Sequence, residues 1–269
     1  MIYRSSSSLA FSTLSFSRTH FQQLAQENSE ISEKGKYLNK HGKIVRVREA
    51  LQWSIENSKH YHHKEELKPP PKKNFETKIH VCFTFSIQAA LKLKERDGSH
   101  VGILNSANAT KPGGKYLSGC LSQESCLCRG SLLWPTLAQF ENKKDCMYTI
   151  NTTKEFSQSP SSCAIFSPNV PVIRRDAFEA QFLEGYQNCS FVSIPPPNAF
   201  ELASDVVVRK ALKLHLYRAL CIFAQEGCES LVLCTYGCGT RGNDPEMVAC
   251  VFKVSQNVLC LNVRIPYCT

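Results

Sequence analysis

The sequence predicts an α/β domain in which helices cover both faces of a central sheet. From residue 79 onward, short apolar segments of strand length alternate with longer segments whose apolar residues recur at helical spacing. Two of the strand segments run directly into glycine-rich loops, and a helical segment follows each loop. In open α/β sheets, ligands bind outside the carboxyl ends of the strands, where such loops converge. The observations that predict the fold therefore also predict the place of its binding site.

The N-terminal third is predicted to be an extension of this domain. Residues 1–17 are serine-rich and lack acids, a composition typical of a disordered tail and also of an organelle-targeting segment. Residues 18–78 are predicted to form a helical extension with a basic, proline-containing linker. Its apolar spacing predicts two helices, at about 18–33 and 47–58.

The last part of that extension, residues 59–78, is expected to be a linker or an edge segment. Three consecutive prolines at 69–71 cannot continue a helix or a central strand. His60, His62 and His63 are expected to lie in a solvated loop here rather than to bind a metal ion.

The main domain is predicted to span residues 79–269. Its expected strands are 79–85, 101–104, 191–194, 231–235 and 261–265, with short apolar segments at 163–166 and 170–173. Its expected helices are 86–93, one that begins near residue 122, 205–224 and 244–255.

Composition places the chain among ordinary globular proteins, with 42% apolar and 20% charged residues. No apolar run approaches the roughly 20 residues that cross a bilayer. The 14 cysteines lie largely within apolar runs and form no CxxC pair, so we expect buried thiols in a reducing compartment rather than a disulfide framework. Their spacing matches no familiar zinc pattern, and no metal is expected. A redox role for Cys120, Cys126 or Cys128 stays open.

The net charge of +9 is concentrated in one part of the chain. Residues 33–115 contain 17 Lys or Arg against 8 Asp or Glu, which accounts for the whole excess. One interpretation is a solvated basic face. The other is a surface that attracts a polyanion or a diphosphate ligand, because the excess extends to Lys111 and Lys115 in the first glycine loop.

The first glycine loop lies within residues 105–131, NSANATKPGGKYLSGCLSQESCLCRGS. A strand, a glycine loop and a helix N-terminus together present backbone N–H groups to an anion, and the helix dipole favours negative charge there. Glu124 is the only carboxylate in the segment. The pattern predicts a phosphate or nucleotide site with one acid beside it.

The second glycine loop, residues 236–243 (YGCGTRGN), follows another predicted strand. Neither loop matches a Walker A motif or a dinucleotide GxGxxG fingerprint. A pair of tight turns without a ligand is the alternative interpretation. Two loops that clamp one diphosphate are the interpretation that the strand–loop–helix pattern favours.

Several separated motifs occur in the order and spacing of a known family: LNSANATKPGG, QES, SPNVPVIR, PPPN and LVLCTYGCGTRGNDPEMVACVF. The chain thereby resembles the microbial-type poly(ADP-ribose) glycohydrolases, a branch of the macrodomain fold, over most of its length. The resemblance implies a three-layer α/β/α macrodomain-like sandwich with a central mixed sheet and an N-terminal helical extension. It also implies that ADP-ribose binds across the two glycine loops.

The chain departs from the family at three positions. The family signature is three glycines, a short spacer and Gln-Glu-Glu, whereas this chain has GGK and QES. The resemblance implies that the first glutamate, here Glu124, orients the terminal ribose, and that the second is the catalytic acid. Ser125 occupies that second position, and a serine hydroxyl cannot act as a general acid at neutral pH. Lys115 replaces the third glycine, and Arg241 replaces an aromatic residue that packs on the ribose.

The resemblance also implies a set of ligand-binding residues. They are Asn105, Asn108, Gly113, Gly114, Lys115, Gln123, Gly237, Cys238, Gly239, Thr240, Arg241 and Asn243. No cofactor is expected.

Three functions follow as hypotheses. The first is a module that recognises ADP-ribose, poly(ADP-ribose) or ADP-ribosylated proteins, with lost or altered glycohydrolase activity. The second is an active glycohydrolase in which Glu124 serves as acid and base. The third is an RNA- or nucleotide-binding protein that uses the basic N-terminal third. We expect an intracellular monomer without membrane association, cytoplasmic or nuclear, or organelle-targeted through residues 1–17.

Overall fold

The computed structural model describes residues 17–68, 78–175, 178–259 and 263–264. The helices are α1 (Arg18–Lys34), α2 (Arg48–Asn57), α3 (Ser86–Asp97), α4 (Gln123–Gly130), α5 (Leu133–Ala138), α6 (Met147–Ile150), α7 (Asp205–Gln225) and α8 (Pro245–Leu259). The strands are β1 (Lys36–Leu38), β2 (Ile44–Arg46), β3 (Lys59–Tyr61), β4 (Val101–Ser106), β5 (Ala164–Arg174), β6 (Phe182–Ile194), β7 (Ser230–Val232) and β8 (Val263–Arg264). Short 3₁₀ turns lie at Tyr116–Ser118 and Lys154–Phe156.

The central sheet is mixed. Its strand order across the described residues is β3-β5-β6-β4-β7-β8. β3, β5 and β6 pair antiparallel, whereas β6, β4, β7 and β8 run parallel. The predicted central mixed sheet is confirmed.

The sheet lies between two separate hydrophobic cores. Successive side chains of a strand point to opposite faces, so Ile103 and Phe191 enter one core while Leu104 and Val192 enter the other. Residues of α3, α4, α5 and α6 complete the first core, and residues of α7 and α8 complete the second. This arrangement confirms the predicted three-layer α/β/α architecture.

The N-terminal helices pack on this sandwich. α1 begins at Ser17, whose hydroxyl accepts the His20 N–H at 3.1 Å, and it ends before Gly35 in the left-handed conformation. The buried Asn28 amide donates to the carbonyls of Cys128 and Arg129 at 2.9 and 2.8 Å. These bonds satisfy carbonyls at the C-terminal end of α4, so α1 holds in place the helix that follows the first glycine loop. The predicted boundary at residue 78 stays a prediction.

Most predicted elements are confirmed, but β6 begins at Phe182 rather than at residue 191, and two further predictions differ. Residues 79–85 are not a strand: they are irregular apart from an isolated bridge at Phe83, and Ile79, Val81 and Phe83 are exposed. The segments 163–166 and 170–173 belong to a single strand, β5, whose register shifts between Ser167 and Val170. β5 remains one strand because its residues pair with β6 both before and after the register shift.

The expectation of a solvated loop is wrong for His60, whereas His62 and His63 follow β3 in a loop and a turn and are partly buried. His60 lies in β3, which pairs with β5 at the sheet edge, and His63 Nδ1 lies 3.4 Å from Cys163 Sγ. Burial lowers the pKa of His60 to about 4.

The structure adds α5, α6 and the β1–β2 hairpin, which are too short for a periodic signal. Predictions on residues 1–16, 69–77, 260–262 and 265–269 lie outside the described residues. Among the helices that are described, none is long and apolar enough to cross a membrane.

Candidate functional site

Three loops leave the same edge of the sheet. β6, β4 and β7 are parallel neighbours with β4 in the middle. Residues 195–204 follow β6, residues 107–122 follow β4, and residues 233–244 follow β7. The two glycine loops are therefore adjacent, and a third loop lies beside them at the position where ligands bind in open α/β sheets.

The first glycine loop depends on two glycines with positive φ. Gly113 and Gly114 have φ of 66° and 56°, which only glycine adopts at little cost. Trp134 lies where a Cβ of residue 113 would be. Lys115 has an ordinary φ of −100°, and its side chain is exposed. The backbone at the family's third glycine position therefore accepts a lysine.

Gln123 joins the end of β4 to the start of α4. Its amide donates to the Leu104 carbonyl at 2.8 Å, and its side-chain oxygen accepts the Ser106 N–H at 2.8 Å. The Gln123 side-chain amide thus bonds to backbone groups of β4 in the way that a neighbouring strand would. These bonds fix the N-terminus of α4 at the edge of the sheet.

Glu124 is buried beneath the first loop, with 2% of its surface exposed. Its carboxylate accepts the Asn108 N–H at 2.8 Å and lies 3.4 Å from the Asn105 amide nitrogen. Burial raises the pKa of Glu124 to about 8, while hydrogen bonds from Asn108, Asn105 and the Gly113 backbone oppose that shift. A Cβ at Gly114 would lie 3.3 Å from the carboxylate, so Gly114 covers it.

Asn105 connects Glu124 to the neighbouring strand. Its amide nitrogen donates to the Ser193 hydroxyl in β6 at 2.9 Å, whereas its buried Oδ1 has no hydrogen-bond partner among the described residues. Asn105 therefore links the buried carboxyl of Glu124 to β6.

Ser125 is fully buried and is bonded within the helix start. Its hydroxyl accepts a hydrogen bond from the Ser122 hydroxyl at 2.9 Å, and its backbone N–H donates to the same Ser122 oxygen at 3.3 Å. Ser122 is thereby the N-cap of α4. The position that the resemblance assigns to the catalytic acid holds a neutral hydroxyl directed at this cap.

The second glycine loop is anchored at both ends. At its start, the buried Tyr236 hydroxyl donates to the carbonyl of Pro195 at 2.8 Å. At its end, the Asn243 amide donates to the Pro197 carbonyl at 3.1 Å, and its side chain fills the space beside Gly237, whose φ is 73°. Gly237 and Asn243 therefore stabilise the loop by packing against each other within it.

The outer part of the second loop is open. Gly239 and Thr240 are exposed, and a Cβ at Gly239 would meet no atom within 4 Å. Cys238 is half-buried, and burial raises the pKa of its thiol to about 11, which keeps it protonated. Arg241 is half-buried and forms no ion pair with any described carboxylate. Lys111, Lys115 and Arg241 thus supply cations to the two loops.

The structure brings the sequence-predicted residues of each loop together. Asn105, Asn108, Gly114 and Glu124 form one hydrogen-bonded or packed group. Sequence reasoning missed Ser193, and it placed Tyr236 in the second loop without predicting its contact; both residues bond to residues distant in sequence. No local pattern signals such contacts.

A cavity of about 230 Å³ lies elsewhere, between α1, α2 and the start of α5. Its lining is largely apolar, and the Arg48 guanidinium there already donates to the Glu33 and Lys34 carbonyls at 3.1 and 2.9 Å. The cavity is therefore a weaker candidate for an anion-binding site than the two glycine loops. Within the described parts of the chain, no group of three His, Cys, Asp or Glu side chains could hold a metal ion.

Comparisons with known proteins agree with this geometry. The family model described as "Microbial-type PARG, catalytic domain" matches residues 25–175. The structure is similar to poly(ADP-ribose) glycohydrolase from Thermomonospora curvata, with a TM-score of 0.84, 26% identity and 93% of each chain covered. It is also similar to the enzyme from Deinococcus radiodurans in complex with ADP-ribose, with a TM-score of 0.69, 25% identity and coverage of 83% of this chain and 91% of the other. A search of curated protein sequences found no match.

Proposed function

This chain belongs to the family of microbial-type poly(ADP-ribose) glycohydrolase catalytic domains, and from that membership we propose that it binds ADP-ribose and poly(ADP-ribose) without cleaving the polymer. ADP-ribosylated proteins are the targets that such a module would recognise. The observation that carries the proposal is that the loop framework is intact while Ser125 stands at the position of the catalytic acid.

The binding half of the proposal rests on the two loops. Each follows a parallel strand and turns on glycines of positive φ, and the first leads directly into α4. Backbone N–H groups at such a helix start attract phosphate. Lys111, Lys115 and Arg241 add positive charge, and the D. radiodurans relative was solved in complex with ADP-ribose. A diphosphate between two ribose groups matches this chemistry.

The non-catalytic half rests on Ser125 and on the burial of Glu124. Cleavage of a glycosidic bond requires an acid that protonates the departing oxygen. Ser125 cannot supply that proton, and its hydroxyl is bonded to Ser122. Loss of a general acid typically lowers the rate by about 10²–10⁴-fold.

A calorimetric titration series tests binding. Wild-type protein is titrated with ADP-ribose and with polymers of increasing length, and Lys213→Ala, an exposed lysine on α7, serves as a charge control. We expect saturable binding of ADP-ribose itself, because the two loops recognise one diphosphate unit. Absence of measurable heat with ADP-ribose at millimolar concentration overturns the proposal.

One observation favours a second function, an active glycohydrolase that uses Glu124. Because its pKa is raised to about 8, Glu124 is neutral at pH 7 and carries a proton that it could donate. To reach a ligand, however, it would have to emerge from beneath Gly114. This alternative predicts that wild-type protein releases ADP-ribose from polymer or modified protein. It also predicts that Glu124→Gln stops that release without loss of binding.

A further inference from the structure

Two cysteines lie at the point where the first glycine loop enters α4. Cys120 precedes the helix, and Cys126 lies in its first turn. Both are free thiols and partly exposed, whereas Cys128 is fully buried with its sulfur beside Gly113. Cys120 and Cys126 are therefore the two thiols of this segment that an oxidant in solution can reach.

A single guanidinium contacts both cysteines. Arg129 is fully buried, its Nη1 donates to the Cys120 carbonyl at 2.7 Å, and its Nη2 donates to Cys126 Sγ at 3.3 Å. Cys126 Sγ also lies 3.8 Å from the Leu121 carbonyl oxygen. The Cys126 sulfur therefore lies beside the backbone of Cys120 and Leu121, and the two cysteine side chains are near each other.

The pKa of Cys126 reflects the same proximity. Burial raises the pKa of this thiol, Arg129 lowers it, and the Cys120 thiol raises it further. One ionisable group has such an effect on another only at short range. The positive charge of Arg129 also stabilises a thiolate at Cys126, and the thiolate is the form of a cysteine that reacts.

The two cysteines belong to parts of the chain that are anchored differently. The Ser118 carbonyl accepts a hydrogen bond from Arg18 Nε at 2.7 Å, which attaches the loop before Cys120 to the start of α1. Cys126 is part of α4, and the residues between the two cysteines include the N-cap of that helix and Glu124. A bond between the two sulfurs would enclose this segment and attach it to the loop.

We propose that Cys120 and Cys126 form a reversible oxidation site, in which a disulfide ties the first glycine loop to α4 and stabilises both. The oxidant is a peroxide, and a small thiol reverses the reaction by thiol–disulfide exchange. In a reducing compartment such a disulfide is transient. The oxidation site is independent of the proposed function, whereas its effect on ADP-ribose binding rests on that function.

The peroxide alone balances the oxidation. The thiolate of one cysteine attacks a peroxide oxygen, the O–O bond breaks, and a sulfenic acid and one water form. The second thiolate then attacks the sulfenic sulfur, the S–S bond forms, and the S–O bond breaks to release a second water. Two electrons pass from the two sulfurs to the peroxide, and the two thiol protons leave in the two waters.

Peptide mapping tests the crosslink. The full-length chain is treated with hydrogen peroxide, free thiols are blocked, and the denatured protein is cut after glutamate, which separates Cys120 from Cys126 at Glu124. We expect two joined peptides that dithiothreitol separates. Cys120→Ser and Cys126→Ser should each abolish the joined species. Cys128→Ala should retain it, and fragment spectra of the wild-type peptides identify the joined sulfur directly.

Thermal unfolding tests the stabilisation. A disulfide that closes a short segment removes freedom from the unfolded chain, so oxidised wild type should unfold about 5–10 °C above the reduced protein. Cys126→Ser that is treated in the same way should show no such rise. Cys82→Ser, at an exposed cysteine outside the three loops, is the matched control and should respond to peroxide as the wild type does.

Calorimetry tests the effect on the ligand. Under the proposed function, oxidised wild type should bind ADP-ribose about 2- to 10-fold more tightly than reduced protein, because part of the ordering of the loop then precedes binding. Cys126→Ser should bind ADP-ribose equally well before and after treatment with peroxide.

The outcomes are distinguishable. A wild type without the joined peptides after peroxide treatment, or a joined species that persists in Cys126→Ser, overturns this inference. A crosslink without a rise in unfolding temperature overturns the stabilisation. Reduced wild type that fails to bind ADP-ribose overturns the proposed function and leaves the crosslink in place. Equal affinities of oxidised and reduced wild type overturn the effect on binding alone.

Discussion

The Ser122 hydroxyl lies 2.9 Å from the Ser125 hydroxyl, and the same Ser122 oxygen accepts the Ser125 N–H at 3.3 Å. The position to which the resemblance assigns the second glutamate is therefore part of the cap that starts α4. The helix start keeps its structure without an acid there. Under the proposed function, this relationship lets the loop framework persist without a catalytic group at residue 125.

Replacement of Ser125 by glutamate should restore polymer cleavage. Ser125→Glu supplies the missing general acid, and a gain on the order of 10²–10⁴-fold over wild type is expected. The measurement is release of ADP-ribose from poly(ADP-ribose). Ser125→Gln, similar in size but without an acidic proton, is the control, and equal rates for the two variants would contradict the expectation.

Replacement of Gly114 should damage the first loop. Its φ of 56° is unfavourable for alanine, and a Cβ would lie 3.2 Å from Asn108 Cβ and 3.3 Å from the Glu124 carboxylate. We expect Gly114→Ala to lower the free energy of unfolding by about 1–2 kcal/mol and to weaken ADP-ribose binding. Urea denaturation measures the first effect. Gly185→Ala, where a Cβ would meet nothing within 4 Å, should change neither quantity.

The stability of the protein should fall with rising pH because of Glu124. Its pKa in the folded state, about 8, is above its ordinary value of 4.5. Between these values the folded state binds a proton that the unfolded state has lost, so the free energy of unfolding decreases as pH rises from about 5 to 8. Glu124→Gln should remove this part of the slope, on the order of a few kcal/mol across the window.

Denaturation at several pH values measures that slope. Glu141→Gln, at an exposed carboxylate, should leave the slope as it is in the wild type. If Glu124→Gln also leaves the slope unchanged, the carboxyl of Glu124 does not titrate as its burial implies.

The affinity for polymer should depend on salt through the cations of the two loops. For the double variant Lys115→Ala/Arg241→Ala, we expect the slope of log affinity against log salt to fall by about 1 for each phosphate that these side chains no longer neutralise. Binding at several salt concentrations measures the slope. Lys213→Ala should not change it, and an unchanged slope in the double variant would remove these side chains from the binding surface.

The sequence was sufficient to predict the sandwich and the two loops, for physical reasons. α7 carries a long pattern of apolar residues at helical spacing, and β4 begins as a short apolar run that ends at the first glycine loop. Gly113 and Gly114 predict a turn after β4, and both residues do adopt a positive φ there. Residues 79–85 had the composition of a strand, but within the described part of the chain only Phe83 forms a bridge, and composition alone does not reveal that.

The inner contacts of the site could not be predicted in the same way. The bond between Asn105 and Ser193 links residues that are 88 positions apart. The burial of Glu124 depends on how the loop folds back over it. The same holds for His63 and Cys163, which meet only because β3 pairs with β5. Such contacts belong to the assembled fold and leave no local trace in the sequence.

Under the proposed function, this chain binds ADP-ribose but does not cleave its polymer. The most direct measurement is release of free ADP-ribose from poly(ADP-ribose) by wild-type protein, at a protein concentration that calorimetry shows to saturate the polymer. We predict binding with no release above that of polymer incubated without protein. Release by the wild type that exceeds this background, and that Glu124→Gln abolishes, would contradict the account.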